Sequence, residues 1–223
     1  MISRPLLRWE IRRLRWWYYG VLLFWLGNFI FTLCLIVPGQ PVPVHWEHVD
    51  FLWFGMFWAI FWGGGLFVGK FRDGTMEFLL ARPVSRREVY HSIVLAGGIP
   101  IVFLVILPSL FALTLPPWKT SHLFPGFLAL NLLESVWLIA VFLLSACVYL
   151  FTGNSNRRYA RFIEASFIGA AVAVLIELQK TNLPQLIQAH PLASLLLSLT
   201  AGCLFYGLGR WRFERMDILT NSG

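Results

Sequence analysis

Six long apolar segments divide this chain and constrain its fold more than any other feature. They run over about 16–38, 51–69, 92–115, 126–151, 162–178 and 191–209. Most approach the roughly 20 apolar residues that cross a bilayer as a helix, and none alternates with the period of two that marks a strand. Because backbone groups in lipid must be bonded within helices or closed barrels, the sequence predicts an all-α polytopic membrane protein. Residues 1–223 are expected to form a single transmembrane domain with six transmembrane helices.

The composition excludes the soluble classes. Hydrophobic residues make up 58% of the chain and charged residues 13%, and the mean hydropathy is +0.69. A soluble domain carries about a quarter charged residues, so this chain has roughly half of what a water-facing surface needs. Disordered, collagenous and coiled-coil proteins are excluded by the same values.

The basic residues predict the orientation. The net charge is +7, and 16 of the 18 Lys and Arg residues fall on one side of the six segments. Only Lys119 and Lys180 fall on the other side. By the positive-inside rule, both termini are expected to be cytoplasmic, in a multi-pass protein of the cell (inner) membrane. The basic residues then serve orientation and attraction to membrane lipid, and no nucleic acid partner is expected.

The N-terminal residues form two neighbouring stripes at helical spacing. The apolar stripe comprises Leu7, Ile11, Leu14 and Tyr18, and the basic stripe comprises Arg4, Arg8, Arg12 and Arg15. A helix of this kind lies in the headgroup plane with its apolar side down, which predicts an N-terminal interfacial helix. The alternative is an ordinary basic flank on the first transmembrane helix.

The loop between the second and third segments has a pattern of its own. Met76, Leu79 and Leu80 predict one short helix with an exposed apolar face, for which Asp73 or Thr75 is available as the N-cap. A short helix of this kind, with an apolar face and charged edges, suits docking of a cytoplasmic partner.

The end of that loop predicts a second helix. Arg82-Pro83 should stop the short helix, since the residue before proline is pushed out of the α region. Ser85 and Glu88, three positions apart, form a capping-box pattern that leads into the third segment.

Two stretches of this sequence resemble a known family. The first reads Gly74-Thr75-Met76-Glu77-Phe78-Leu79-Leu80-Ala81-Arg82-Pro83-Val84-Ser85-Arg86, and the second reads Phe213-Glu214-Arg215-Met216-Asp217-Ile218. The first resembles the coupling-helix segment of ABC-2 type transporter permeases, and the second resembles the ending that comes after their sixth span. The six-segment pattern with cytoplasmic termini is also similar.

The resemblance implies that this chain is the permease subunit of an ATP-driven exporter and that the subunit itself does not hydrolyse ATP. Such a subunit pairs with a second copy or a sister permease, and docks a separate ABC ATP-binding subunit through the cytoplasmic segment 72–90. ATP and magnesium would then belong to the partner, with no cofactor and no enzymatic activity in this chain. The residues implied in docking are Arg72, Asp73, Gly74, Thr75, Glu77, Leu79, Leu80, Pro83 and Arg86. Spans one, two and five would line the subunit interface.

Two polar residues in the fourth segment are candidates for a substrate path. Asn131 and Glu134 lie three positions apart, and a carboxylate within a membrane is costly enough to indicate a function. A hydrogen bond from Glu134 to a neighbouring helix explains the same residue equally well.

Other motifs are weaker. Gly64-Gly65-Leu66-Phe67-Val68-Gly69-Lys70-Phe71 approaches a phosphate-binding P-loop, but Phe71 stands where Ser or Thr would hold magnesium. Gly65 and Gly69 also form a GxxxG, which either packs helices or reflects the abundance of glycine in membrane helices. No metal site is expected, because the outer-loop cluster matches no known ligand spacing. That cluster comprises His45, Glu47, His48 and Asp50.

Two other functions are alternatives, and the first of them remains open. A membrane scaffold or assembly protein would use the same cytoplasmic segment to recruit a partner without transport. A secondary transporter is disfavoured, because the segments carry few charges and lack two halves with matched helix breaks.

Overall fold

The described part of the chain is almost entirely helical. The computed structural model describes residues 4–16, 18–20, 22–23, 26–27, 44–72, 74–81, 84–112, 124–152 and 189–216, and no strand occurs among them. Six helices are assigned there: α1 Arg4–Arg13, α2 Val44–Arg72, α3 Thr75–Leu80, α4 Arg86–Ala112, α5 Phe124–Thr152 and α6 Pro191–Arg215. The all-α prediction is therefore confirmed for the described residues.

The long helices pack around α5, which contacts α2, α4 and α6. Gly55 lies against Leu138 and Gly63 lies against Phe142, so α2 and α5 run in the same direction. The Trp137 indole donates a hydrogen bond to Ser194 Oγ over 2.6 Å, and further along the helices the Arg212 guanidinium reaches the Leu150 carbonyl oxygen at 3.4 Å. Helix α6 is thus parallel to α5 as well.

Helix α4 runs in the opposite direction to α2. Tyr90 near its start stacks on Phe67 with ring centroids 6.1 Å apart, whereas the Trp62 indole donates a hydrogen bond to the Gly97 carbonyl oxygen over 2.9 Å. One end of the bundle therefore collects the end of α2, the start of α4, and the ends of α5 and α6. We call it the basic end, because the lysines and arginines of α2, α4 and α6 lie there: Lys70, Arg72, Arg86, Arg87, Arg210, Arg212 and Arg215.

Small residues set the spacing between α2 and α5. A side chain at Gly63 would collide with the Phe142 carbonyl oxygen and approach the Ser145 Cβ to 3.0 Å. The Ser145 hydroxyl donates a hydrogen bond of 2.5 Å to the Ile60 carbonyl oxygen. Membrane helices commonly associate in this way: small residues let the backbones approach closely, and hydroxyl groups form hydrogen bonds between the helices.

Four of the predicted segments coincide with helices, three of which extend well beyond the predicted bounds; α4 begins at Arg86, six residues before the predicted segment 92–115. Helix α2 begins at Val44, seven residues before the predicted segment 51–69, so the outer-loop residues His45, Glu47, His48 and Asp50 lie on its first turns. Helix α6 continues from 209 to Arg215, because Arg210, Arg212 and Arg215 are favourable at a helix C-terminus. Most of segment 16–38 and all of segment 162–178 lie outside the described residues.

Two helical stretches in the described part are long and apolar enough to cross a membrane, Leu132–Phe151 and Pro191–Arg215. The second buries little of its surface within the protein. Its exposed large side chains are Leu192, Leu196, Leu197, Leu199, Leu204, Leu208 and Trp211. A contiguous apolar surface of this extent is unusual for a protein in water, and it suits contact with lipid or with another apolar chain.

Helix α1 has the exposed basic face that the sequence predicts, with Arg4, Arg8 and Arg12 exposed. Its buried residues are Leu6 and Glu10, which lie beside the predicted apolar stripe, and Leu7 and Ile11 of that stripe are half-buried. The apolar face packs on α4 of the same chain, where the Tyr18 hydroxyl donates a 2.6 Å hydrogen bond to the Ala96 carbonyl oxygen. The apolar stripe is therefore occupied by protein contacts, which the expectation of a lipid-facing stripe did not include.

Candidate functional site

The short helix α3 starts from a glycine in the left-handed region. Gly74 has a φ of 67°, a conformation that most other residues adopt only with strain. Its carbonyl oxygen accepts a hydrogen bond of 3.3 Å from the Phe78 backbone N–H, which closes the first turn. Glycine at this position therefore lets the chain reverse after α2 and begin α3 within three residues.

The prediction of an exposed apolar face on α3 is wrong. Met76 is 0% exposed and Leu79 is 2% exposed, because both side chains pack into the protein's own core. Full burial of a Met or Leu side chain contributes about 1.5–3 kcal/mol, and a helix of six residues has no other means of holding its place. The exposed apolar residue of α3 is instead Phe78, at 54%.

A capping box starts α4, as the sequence predicts. The Ser85 hydroxyl oxygen accepts a hydrogen bond from the Glu88 backbone N–H at 3.2 Å. In return Glu88 Oε2 accepts one from the Ser85 backbone N–H at 3.3 Å and one from the Ser85 hydroxyl at 3.1 Å. This confirmed motif fixes where the loop ends and α4 begins.

Arg86 connects the loop to the end of the last helix. Its Nη1 donates hydrogen bonds to the carbonyl oxygens of Glu214 at 3.0 Å and Met216 at 2.7 Å. These carbonyls end α6 and have no partner within the helix, and a cation is favourable at that position. The two stretches that carry the family resemblance are therefore in direct contact.

An aromatic cluster lies beneath this contact. Tyr90 and Phe213 are both 0% exposed, with ring centroids 5.7 Å apart, and Phe67 lies 6.0 Å from Phe213. The Tyr90 hydroxyl donates a hydrogen bond of 3.2 Å to the Tyr206 carbonyl oxygen, and its ring occupies the space that a side chain at Gly209 would need. The cluster joins α2, α4 and α6 at the basic end, next to α3.

A buried ion pair attaches α1 to the end of α2. Both carboxylate oxygens of Glu10 accept hydrogen bonds from Lys70 Nζ, and the side chains are 0% and 3% exposed. Burial lowers the pKa of Lys70, and the neighbouring Glu10 carboxylate opposes that shift. Lys70 Nζ also lies 5.5 Å from the centroid of the Trp9 ring.

The predicted docking residues differ in how far they are buried and in whether the structure describes them. Gly74, Thr75, Leu80 and Arg86 are half-buried, and Leu79 is buried. The backbones of Arg72 and Glu77 are helical, but their side chains lie outside what the structure describes, and Asp73 and Pro83 lie outside the described residues altogether. Among the described members, Gly74, Thr75, Leu79 and Leu80 therefore lie on or next to α3, with Leu79 in the core. Arg86 instead begins α4 and contacts the end of α6.

The candidate substrate-path residues lie on α5. Glu134 is buried, at 6% exposure, one turn before Leu138 in the contact with α2. The side chain of Asn131 lies outside the described part. Burial of Glu134 among helices suits a substrate-path role and an interhelical hydrogen bond alike.

The weaker sequence motifs have no ligand-binding geometry. Residues 64–71 form continuous helix within α2, and Lys70 is bonded to Glu10, so no phosphate-binding loop forms there. Gly65 and Gly69 have open space where a side chain would start, so Gly63 provides the close packing with α5. Among the described residues, no group of three His, Cys, Asp or Glu side chains is placed to hold a metal ion.

Sequence reasoning missed Glu10, Phe78 and Tyr90. A single acid within a strongly basic helix was the available signal for Glu10, since it suggests a specific partner. For Phe78 the signal was its position opposite Met76 and Leu79 at the helical spacing.

No protein-family model, curated protein or solved structure matches this chain.

Proposed function

We propose that this chain is the permease subunit of an ATP-driven exporter of the ABC-2 type. In this proposal it forms the membrane pathway with six transmembrane helices and docks a separate ATP-binding subunit through segment 72–90. The protein works in the cell (inner) membrane as a pair, with a second copy or a sister permease, and both termini are cytoplasmic. ATP and magnesium belong to the partner subunit.

The observation that carries the proposal is the way α3 is attached. Met76 and Leu79 fix its inner face in the core between α2 and α4, and the capping box fixes its exit. A force on α3 is therefore delivered to the ends of two long helices. A coupling element needs this property, because nucleotide-dependent contacts shift an equilibrium only through elements that they bias directly.

The outer face of α3 suits a protein partner. Phe78 presents an exposed aromatic ring, and aromatic residues and arginine are enriched in the cores of protein interfaces. Arg87, exposed on the first turn of α4, adds positive charge at the same end of the bundle. A partner with an apolar pocket and an acidic rim would complement this surface.

The distribution of charge supports the proposed membrane orientation. Helices α2, α5 and α6, proposed as spans two, four and six, are parallel, and α4, proposed as span three, is antiparallel to them. The lysines and arginines of these helices collect at one end, which is the expectation for a cytoplasmic face. The exposed leucines of α6 are suited to the lipid or to the second permease.

The experiment is affinity purification of the tagged chain from mild detergent. Four forms are compared: native, residues 74–86 scrambled, Phe78→Ala, and Phe61→Ala. Phe61 is a matched control, since it is 52% exposed against 54% for Phe78 but lies in the middle of α2. The native and Phe61 forms are expected to retain a protein with an ATP-binding site, and the scrambled and Phe78 forms to lose it.

A second readout separates an exporter from a scaffold. The purified complex is reconstituted in lipid vesicles, and its ATP hydrolysis is compared with that of the ATP-binding subunit alone. Hydrolysis that rises on assembly, and that changes with a transported compound, supports the exporter. An ATP-binding subunit that is absent from every form, or whose hydrolysis is unaffected by the permease, rejects it.

A further inference from the structure

We infer that a groove between α1 and α3 binds the headgroup of an anionic phospholipid. The groove has a volume of about 560 Å³ and is lined by six residues of α1, by Leu79 of α3 and by Val84, which lies between α3 and α4. Pockets for small molecules and cofactors usually enclose about 300–1,000 Å³. The space thus suits a headgroup with its glycerol backbone better than it suits a single inorganic ion.

The arginines of the groove share one helix face. Arg4, Arg8 and Arg12 recur at intervals of four residues, which places them one above another along α1, and all three are exposed. The only acidic residue of α1 is Glu10, and its carboxylate is bonded to Lys70. The three guanidinium groups therefore have no acidic partner within their own helix, and guanidinium binds phosphate in a bidentate manner.

The floor of the groove is apolar and fixed. Leu6 and Leu79 are buried members of the core. The Trp9 ring has Lys70 Nζ at 5.5 Å and the Arg13 guanidinium at 5.7 Å from its centroid, and these contacts hold its position. If the phosphate binds the arginines, the adjoining glycerol and upper acyl carbons lie on this floor. A lipid therefore makes both contacts, whereas an isolated phosphate makes only the contact with the arginines.

The residues next to α1 in the chain indicate that the occupant is a lipid. The helical residues after Arg13 carry exposed large side chains: Trp16, Tyr19, Leu22, Leu23 and Leu26. Trp and Tyr favour the membrane–water interface and leucines the hydrocarbon. Arg12 precedes Trp16 by four residues, about 6 Å along a helix, so the groove lies at headgroup depth.

The test measures lipid selectivity of the full chain in detergent. Tail-labelled phosphatidylglycerol and phosphatidylcholine with identical acyl chains are titrated, and fluorescence anisotropy gives each Kd. One basic residue near an anionic surface is worth about fivefold in affinity. We expect the native chain to prefer phosphatidylglycerol at least about tenfold, and Arg4→Gln/Arg8→Gln/Arg12→Gln to abolish that preference.

A control triple keeps net charge equal. Arg87→Gln/Arg210→Gln/Arg215→Gln removes three arginines that lie outside both the groove and α1 and is expected to retain the preference. Val84→Trp, which fills the groove without changing charge, is expected to lose it. All variants are checked for helical circular dichroism and a single elution peak, so that misfolding is not read as lost binding.

Three results would overturn the inference. One is the absence of a preference for phosphatidylglycerol in the native chain, and another is an equal loss in the groove triple and the control triple. The third is a soluble pentaglutamate peptide that binds the native chain and not the groove triple, while the lipid preference persists in both; the groove would then dock protein. No ATP-binding subunit is present in this assay, so its outcome is independent of the proposed exporter function.

Discussion

Glu10 and Lys70 form an ion pair closed off from solvent, although 60 residues separate them in the chain. The pair joins the N-terminal helix to the last turn of α2, directly before the reversal at Gly74. Removal of one partner from a buried pair leaves an uncompensated charge, whereas removal of both does not. The pair therefore fixes where α1 lies, and with it one wall of the groove between α1 and α3.

Single replacement of either residue is expected to be costly. Lys70→Met or Glu10→Leu should each lower the free energy of unfolding by about 3–5 kcal/mol, and Glu10→Leu/Lys70→Met should recover most of that loss. Chemical unfolding in detergent, followed by tryptophan fluorescence, provides the double-mutant cycle. Additive losses in the double variant would contradict a direct interaction.

Gly63 and Gly65 should respond in opposite ways to the same substitution. Gly63→Ala forces a methyl group onto the Phe142 carbonyl oxygen, and overpacking of this kind costs about 1–3 kcal/mol. Gly65→Ala meets open space and should be neutral or stabilising by up to about 1 kcal/mol, because alanine is the better helix former. Thermal unfolding of the two variants checks the difference, and equal effects would show that α2 and α5 do not approach closely at Gly63.

Arg86 is expected to stabilise the end of α6. Hydrogen bonds from a charged donor contribute about 1.5–3 kcal/mol, so Arg86→Ala should destabilise the turn that ends at Met216. Arg87→Ala is the matched control, since Arg87 is the exposed neighbour and should change stability by less than about 0.5 kcal/mol. Hydrogen exchange of the peptide covering 210–216 measures the effect, and unchanged protection in the Arg86 variant would contradict it.

This structural role alters how Arg86 serves as a probe of docking. A double replacement of Glu77 and Arg86 tests coupling cleanly only if insertion and the end of α6 are unaffected. Because Arg86 holds two α6 carbonyls, loss of transport in that variant would have two explanations. Phe78, exposed and outside the core, is the sharper probe.

His91 should make stability depend on pH in the mildly acidic range. Burial lowers its pKa below the ordinary 6.5, and the nearby Arg87 and Arg210 act in the same direction. Its buried Nε2 also has no hydrogen-bond partner among the described residues. The unfolded chain therefore binds the proton more readily, so the contribution of His91 is fully present above pH 6.5 and is lost as the pH falls through the folded-state pKa.

Replacement of His91 by glutamine should flatten that dependence. The measurement is the free energy of unfolding of the native chain and the His91→Gln variant between about pH 5 and pH 8, a range that covers the ordinary histidine titration. The two curves are expected to converge in shape above pH 6.5 and to separate below it. Parallel curves throughout would place the titration on another group.

Local sequence patterns were sufficient for much of this fold. The capping box of Ser85 and Glu88, the basic face of α1 and the bounds of α5 were all predictable, because each depends on residues within a few positions of one another. The inward direction of Met76 and Leu79 was not predictable in this way. A six-residue helix presents similar apolar residues on either side, and only packing against α2 and α4 decides which side is buried.

The long-range contacts of the site were also beyond the sequence patterns. Arg86 bonds to carbonyls 128 and 130 residues away, and a basic residue near a helix start gives no sign of such a partner. The family resemblance covers residues 74–86 and residues 213–218, but it gives no indication that these two stretches contact each other. Their contact through Arg86, Tyr90 and Phe213 results from the parallel and antiparallel order of the helices.

Site-specific photocrosslinking in intact membranes tests the proposed docking of an ATP-binding subunit on the outer face of α3. A photoreactive residue is placed at position 78 in one form and at position 61 in the other, and the adducts are identified by mass spectrometry. If α3 docks that subunit, an adduct is expected at 78 with a protein that has an ATP-binding site, and none with that protein at 61. The absence of that adduct at 78, or its appearance at both positions, would rule out docking at α3.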